Sequence, residues 1–130
     1  LLTLGEMSME ITEYLLGEER IIERLSRYFR EKKISSLYIY GDMPLATVLY
    51  RILEETDVTV KGFIARDIIH SSVCGQKVVC IKDYIPDGTD TMLILNYEYI
   101  HRIRKDFHFM GFYGTLLSVK NMIDEVKRNE

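Results

Sequence analysis

The chain opens in a helical rhythm and then changes period. Ile11, Tyr14 and Leu15 share one face after Ser8, a predicted N-cap, until Gly17 interrupts the pattern. A second helix is predicted over 18–32, with Ile21, Ile22, Leu25, Tyr28 and Phe29 in one stripe. Its other face (Glu19, Arg20, Glu23, Arg24, Arg27, Arg30) interleaves acids and bases, as a solvated surface does. Lys32 and Lys33 at its end suit the negative pole of the helix dipole. From residue 36 onward, continuous apolar runs replace the stripes. Strands are predicted over 36–40, 58–65, 77–80, 91–95 and 112–119, and helices over 44–55, 98–110 and 121–128. Pro44 is tolerated in a first helical turn, and Gly111 is a natural helix stop. Residues 67–75 and 82–88 read as a polar loop and a turn.

Strands that alternate with helices and are mostly apolar on both faces imply a parallel sheet covered on both sides. Right-handed crossovers then order about five strands as 3-2-1-4-5. The expected fold class is therefore α/β: a three-layer domain over 34–130 with a mainly parallel sheet, preceded by an N-terminal helical segment over 1–33. Those first helices either pack on the sheet or bridge to a neighbouring domain or a second copy of the chain.

Composition narrows the function classes. With 130 residues, 47% apolar and 28% charged, the chain is one ordinary globular domain with room for a sizeable core. A formal charge of −3 gives no electrostatic case for nucleic acid, so no nucleic-acid partner is expected. The longest apolar runs, 91–95 and 114–119, are too short to span a bilayer, and no membrane partner is expected. No basic segment leads into an apolar one in the manner of a secretory signal, so a cytoplasmic location is expected. The chain begins Leu-Leu rather than with Met, as a domain excised from a longer protein would. Cys74 and Cys80, six apart and without zinc-site spacing around them, read as a pair of reduced thiols, with a disulfide between them as the lesser alternative.

Candidate chemistry concentrates at Gly41-Asp42-Met43-Pro44-Leu45-Ala46, which joins the first strand to the following helix. In doubly wound sheets this position carries the G-x-G-x-x-G/A phosphate-binding fingerprint, and ligands lie outside the carboxyl ends of the strands where the order reverses. The crevice would lie between the loops after Tyr40 and Leu95, lined by Gly41, Asp42, Met43, Arg66, Asn96 and Tyr97. Three residues weigh against a dinucleotide there. Met43 fills the space where the second glycine lets backbone approach a pyrophosphate. Pro44 removes a helix N-terminal donor, and Asp42 adds negative charge while capping the helix. Ala65 and Arg66, followed by Asp67, stand where an acid would hold the ribose; Arg66 reads either as a phosphate contact or as a solvated loop residue.

Over roughly 35–115, the sequence from "LYIYGDMPLA" through "VKGFIARD" and "GQKVV" to "MLILNYEYIHRIRKDFHFMGF" resembles the small Rossmann-like domains of bacterial sugar-modification proteins. The resemblance implies an NAD(P)-binding-type fold of the kind found at the N-terminus of amino-sugar acyltransferases or fused to glycosyltransferases. In such relatives the glycine-rich turn and an acid after the "GFI" strand contact a nucleotide-sugar. The corresponding positions are Gly41 to Met43 and Ala65, where the acid is absent.

Other polar residues add little. His101 and His108 share a face of one predicted helix beside Arg104 and Lys105, as surface residues do. His70, near Ser71 and Ser72, lacks a third orienting group, so no nucleophilic triad follows. Tyr97 and Tyr99 flank the crevice and could stack on a base or sugar. The expected function is a non-catalytic Rossmann-like module with a regulatory, assembly or weak ligand-sensing role in a larger protein. The alternative is a nucleotide- or nucleotide-sugar-binding domain of a glycan-modifying enzyme. No cofactor is expected, NAD(P) and nucleotide-sugar being disfavoured by Met43, and the expected partner is a second copy or neighbouring domain docked on the first helices.

Overall fold

Six strands form the centre of the computed structural model, which describes residues 4–41, 44–95 and 99–129. They are β1 (Ser36–Tyr40), β2 (Thr59–Ala65), β3 (Ser72–Val73), β4 (Gln76–Cys80), β5 (Thr91–Ile94) and β6 (Thr115–Ser118), in the spatial order β3-β4-β2-β1-β5-β6. β1 pairs in parallel with β2 and β5, β2 with β4, and β5 with β6, while β3 runs antiparallel to β4. The fold is thus α/β with a mainly parallel sheet. Its strand count and order depart from the expected five in the order 3-2-1-4-5 because Ser72–Val73, read as polar loop, adds an edge strand. A two-residue turn, Cys74 and Gly75 with φ of 51° and 80°, folds β3 onto β4. This is the mirror-image turn that matches strand twist.

Among the described residues the helices are α1 (Leu4–Gly17), α2 (Ile21–Glu31), α3 (Pro44–Leu53), α4 (Ile100–Phe109) and α5 (Val119–Arg128), and a 3₁₀ turn spans Ile81–Asp83. Alternation along the strands divides the interior in two. Leu37, Ile39, Phe63, Ala65, Leu93 and Leu95 face α1, α2, α3 and α5. Tyr40, Ile64, Met92 and Ile94 face α4 and the connection that carries Ile81 and Tyr84. The apolar stripe of α2 (Ile21, Leu25, Tyr28, Phe29) is buried in the first of these clusters, so what α2 shows outward is its charged face. Burying each such side chain is worth roughly 1.5–3 kcal/mol of transfer free energy, which fixes α1 and α2 to the sheet.

Several element ends differ from the sequence pattern. Ser8 lies inside α1 instead of capping it, and its carbonyl accepts a bond from Thr12 Oγ1 at 2.9 Å. Its preference for a cap is overridden because Met7, one turn before Ile11, also packs on the core. The last strand begins at Thr115 rather than at 112, because Phe112 is drawn under α4 onto Phe107, ring centroids 5.0 Å apart. That placement belongs to the end of α4, where Gly111 (φ 81°) donates to His108 O and Phe112 N to Phe107 O. The paired bonds are a Schellman stop. Ser118 caps α5, accepting from Asn121 N at 3.0 Å, so that helix starts two residues before the expected 121.

Candidate functional site

The carboxyl ends of β1 and β5, where the sequence pattern puts the crevice, are held by backbone bonds. Gly41, with φ of 126°, turns the chain out of β1 in a conformation that side-chain-bearing residues rarely adopt. Its N–H donates to Ile64 O at 2.7 Å, while Leu95 N donates to Tyr40 O at 3.1 Å. These bonds hold the ends of β2, β1 and β5 level. Of the six residues expected to line the crevice, Gly41 and Arg66 are placed. Asp42, Met43, Asn96 and Tyr97 lie outside the described residues.

Arg66 follows β2 and turns toward α4, where its Nη1 lies 3.3 Å from Asp106 Oδ2. Both partners are partly solvated, with side chains 44% and 31% exposed, so the pair is a soft latch and not a buried salt bridge. Beside it the Arg66 carbonyl faces the Cys80 thiol at 3.7 Å, and Cys80 and Cys74 are both free thiols. The pair forms one edge of an open groove of about 320 Å³ lined by Ile81, Lys82, Phe109 and Met110. Farther up α4, the Arg102 guanidinium lies over the Tyr99 ring, 4.7 Å from its centroid.

Tyr40, the last residue of β1, is buried on the α4 side with its ring edge-on to Phe107 at 5.7 Å. Its hydroxyl is pushed up to about 12, chiefly by burial. Asp106 adds to that shift, and Arg66 and Arg102 act against it. A phenol so placed stays protonated at neutral pH and does not act as a base. Sequence reasoning passed over Tyr40, Asp106 and Arg102 as site residues. The available signal was Asp106 itself, the one acid in the basic helix sequence IHRIRKDFHF.

A second polar cluster lies on the same face of the sheet. Leu37 pairs with Val60 but Tyr38 with Gly62, so Lys61 is an extra residue in β2. Such a bulge re-aims a side chain, and here Lys61 swings over the Tyr38 ring (5.4 Å) to Asp90 Oδ1 (3.1 Å). The buried Asp90 also accepts a short hydrogen bond from the Tyr84 hydroxyl. Burial by itself raises the Asp90 carboxyl, but the bonds from Tyr84 and Lys61 outweigh it and leave the group below the ordinary carboxylate range. Tyr84 is raised by burial first and by this bond second. Asp90 therefore pins the connection between β4 and β5 in its ionised form.

The remaining candidates do not assemble. His101 and His108 are exposed on α4, and His70, Ser71 and Ser72 are exposed at the surface between β2 and β4. Among the described residues no group of three or more His, Cys, Asp or Glu is placed to hold a metal ion, and no helix is long and apolar enough to cross a membrane. Comparison with known proteins finds no matching family model, no matching curated protein and no matching solved structure.

Proposed function

We propose that this is a non-catalytic Rossmann-like module that senses a ligand weakly, or takes part in regulation or assembly, within a larger protein. The observation that carries the reading is the Arg66–Asp106 pair at 3.3 Å. Arg66 is the cation the sequence offers to a phosphate, and a carboxylate already occupies it. An incoming phosphate must displace Asp106 or accept its negative charge alongside, and either costs affinity. Tyr40, held neutral, and the exposed His101 and His108 supply no base and acid facing one substrate position.

One observation favours the second reading, a nucleotide- or nucleotide-sugar-binding domain of a glycan-modifying enzyme. The groove beside Arg66 has apolar walls in Ile81, Phe109 and Met110 and a second cation in Lys82, which together suit a base or sugar next to a phosphate. A thermal-shift panel with NAD(H), NADP(H), nucleotide-sugars and free nucleotides separates the two. A ligand at about 100 times its dissociation constant adds roughly 2.7 kcal/mol, a plainly visible shift. Silence across the panel is the expected result. A clear shift with any of these compounds, lost in Arg66→Ala, supports the second reading instead.

A further inference from the structure

On the other face of the sheet, α2 and α5 enclose a cavity of about 260 Å³ whose wall includes Arg20, Arg24, Arg27, Tyr28, Glu31 and Asn129. The three arginines are four and three residues apart, which stacks them on one side of α2. Like charges at that spacing repel, and acids offset them unevenly. Arg24, its side chain 20% exposed, has its Nε 3.5 Å from Glu18. Arg20 holds Glu23 with two bonds of 3.0 and 2.9 Å, and Arg27 reaches the same carboxylate at 3.9 Å. One carboxylate, more than half exposed, thus serves two of the arginines that line the cavity.

An exposed ion pair of that kind is readily exchanged, because water and salt screen it. Guanidinium forks accept phosphate or carboxylate oxygens two at a time. A ligand with two or more anionic groups can engage Arg20 and Arg27 together, with Arg24 and Asn129 in the same lining, where Glu23 offers a single group. Tyr28 is no competing acid: burial first, then the negative charge of Glu125 and the hydrogen bond to it, push its hydroxyl up to about 12. Glu31 in the lining and Glu125, bonded to Tyr28, oppose an incoming anion, so a ligand must engage more than one arginine to bind. The volume lies just below the range of roughly 300–1,000 Å³ usual for larger ligands. We infer that the α2–α5 cavity binds a small multivalent oxyanion, the shared chemistry of pyrophosphate and polycarboxylates, in exchange for the hold of Glu23 on Arg20 and Arg27.

Calorimetric titration of the whole chain with sodium pyrophosphate, citrate and orthophosphate at one fixed low ionic strength tests this. Saturable binding of pyrophosphate, citrate or both is expected, at least about tenfold tighter than orthophosphate, and which of the two binds tells phosphate from carboxylate chemistry. Arg27→Gln should weaken that binding about tenfold through loss of a charged hydrogen bond. Glu31→Gln should tighten it severalfold, and Arg66→Gln in the distant crevice should leave it unchanged. Circular dichroism of each variant checks that it is folded, and the Glu31 variant carries the test if the Arg27 variant is not. The inference is overturned by absence of saturable binding to either multivalent ion. It is equally overturned by binding that neither the Arg27 nor the Glu31 substitution changes, or that Arg66→Gln weakens as much as Arg27→Gln does.

Discussion

Toward α1, α2, α3 and α5 the sheet is packed by fully buried aliphatic side chains such as Leu37, Ile39, Leu49, Leu53 and Leu93, with Phe29 and Phe63 among them. Toward α4 the cover is one helix and the connection after Ile81, joined by aromatic edges (Tyr38 on Tyr84, Tyr40 and Tyr84 on Phe107, Phe107 on Phe112) and by the ionised Asp90. The first face needs only burial. The second depends on a handful of oriented contacts, and it is the face that bears the crevice wall with Arg66 and Asp106. A cover made of few contacts can open locally without unfolding the scaffold beneath it, which is what a sensing surface requires.

The comparison is broken most forcefully at Phe107, fully buried against the rings of Tyr40, Tyr84 and Phe112. Phe107→Ala should cost about 3–5 kcal/mol in urea unfolding. In native-state hydrogen exchange, α4 should lose protection ahead of α2 and α3. Leu49→Ala, on the other face, should cost about 2–5 kcal/mol and lower protection throughout. Equal, uniform loss in both variants would show that the faces do not differ in cooperativity.

Next in size is Gly114→Ala. A Cβ there would lie 2.0 Å from the Asp90 carbonyl oxygen, so the backbone that places Asp90 must shift. The expected cost is about 1–3 kcal/mol. Weakening of the Thr115 N to Asp90 O bond, 2.9 Å in the parent, should appear as faster exchange at Thr115.

Asp90→Asn keeps the shape and removes the charge, for an expected loss of about 1–2 kcal/mol. The sign with pH follows from the lowered carboxyl. Its contribution is complete above the unfolded-chain value of about 4 and disappears as the pH falls through the lower folded-state value. Stability curves of parent and variant should therefore lie apart at neutral pH and converge in acid. A gap that stays constant down to the acid limb would remove Asp90's ionisation from the account.

These effects also mark what was legible in the chain. The runs that became β1, β2 and β5 were readable because those strands are buried on both faces, and the stripes of α2 and α3 because one side of each helix packs on the aliphatic face. β3 was not, since two residues forming two pairs with β4 leave no period to detect. Phe112 was read as strand because its apolarity fits a strand as well as it fits the seat under α4. At the site, Gly41 and Arg66 were visible from the strand–turn–helix pattern. Asp106 was not recognised as Arg66's partner, for the two lie 40 residues apart and meet only through the fold. Lys61's role was equally hidden, since a bulge sends it to the face that simple alternation denies it.

The smallest effect is at the latch. Arg66→Ala or Asp106→Ala should change stability by less than about 1 kcal/mol, since both side chains are partly solvated. A larger loss would make the pair a structural element of the α4 face rather than a gate on it.

That latch also gives the most direct test of the central claim. Calorimetric titrations of the parent, Asp106→Asn and Arg66→Ala with NAD⁺, NADP⁺ and a nucleoside diphosphate sugar compare the occupied, released and absent cation. The account predicts parent dissociation constants of about 1 mM or weaker, tightened severalfold by Asp106→Asn and abolished by Arg66→Ala. Micromolar binding by the parent, lost in Arg66→Ala and not improved in Asp106→Asn, would contradict it.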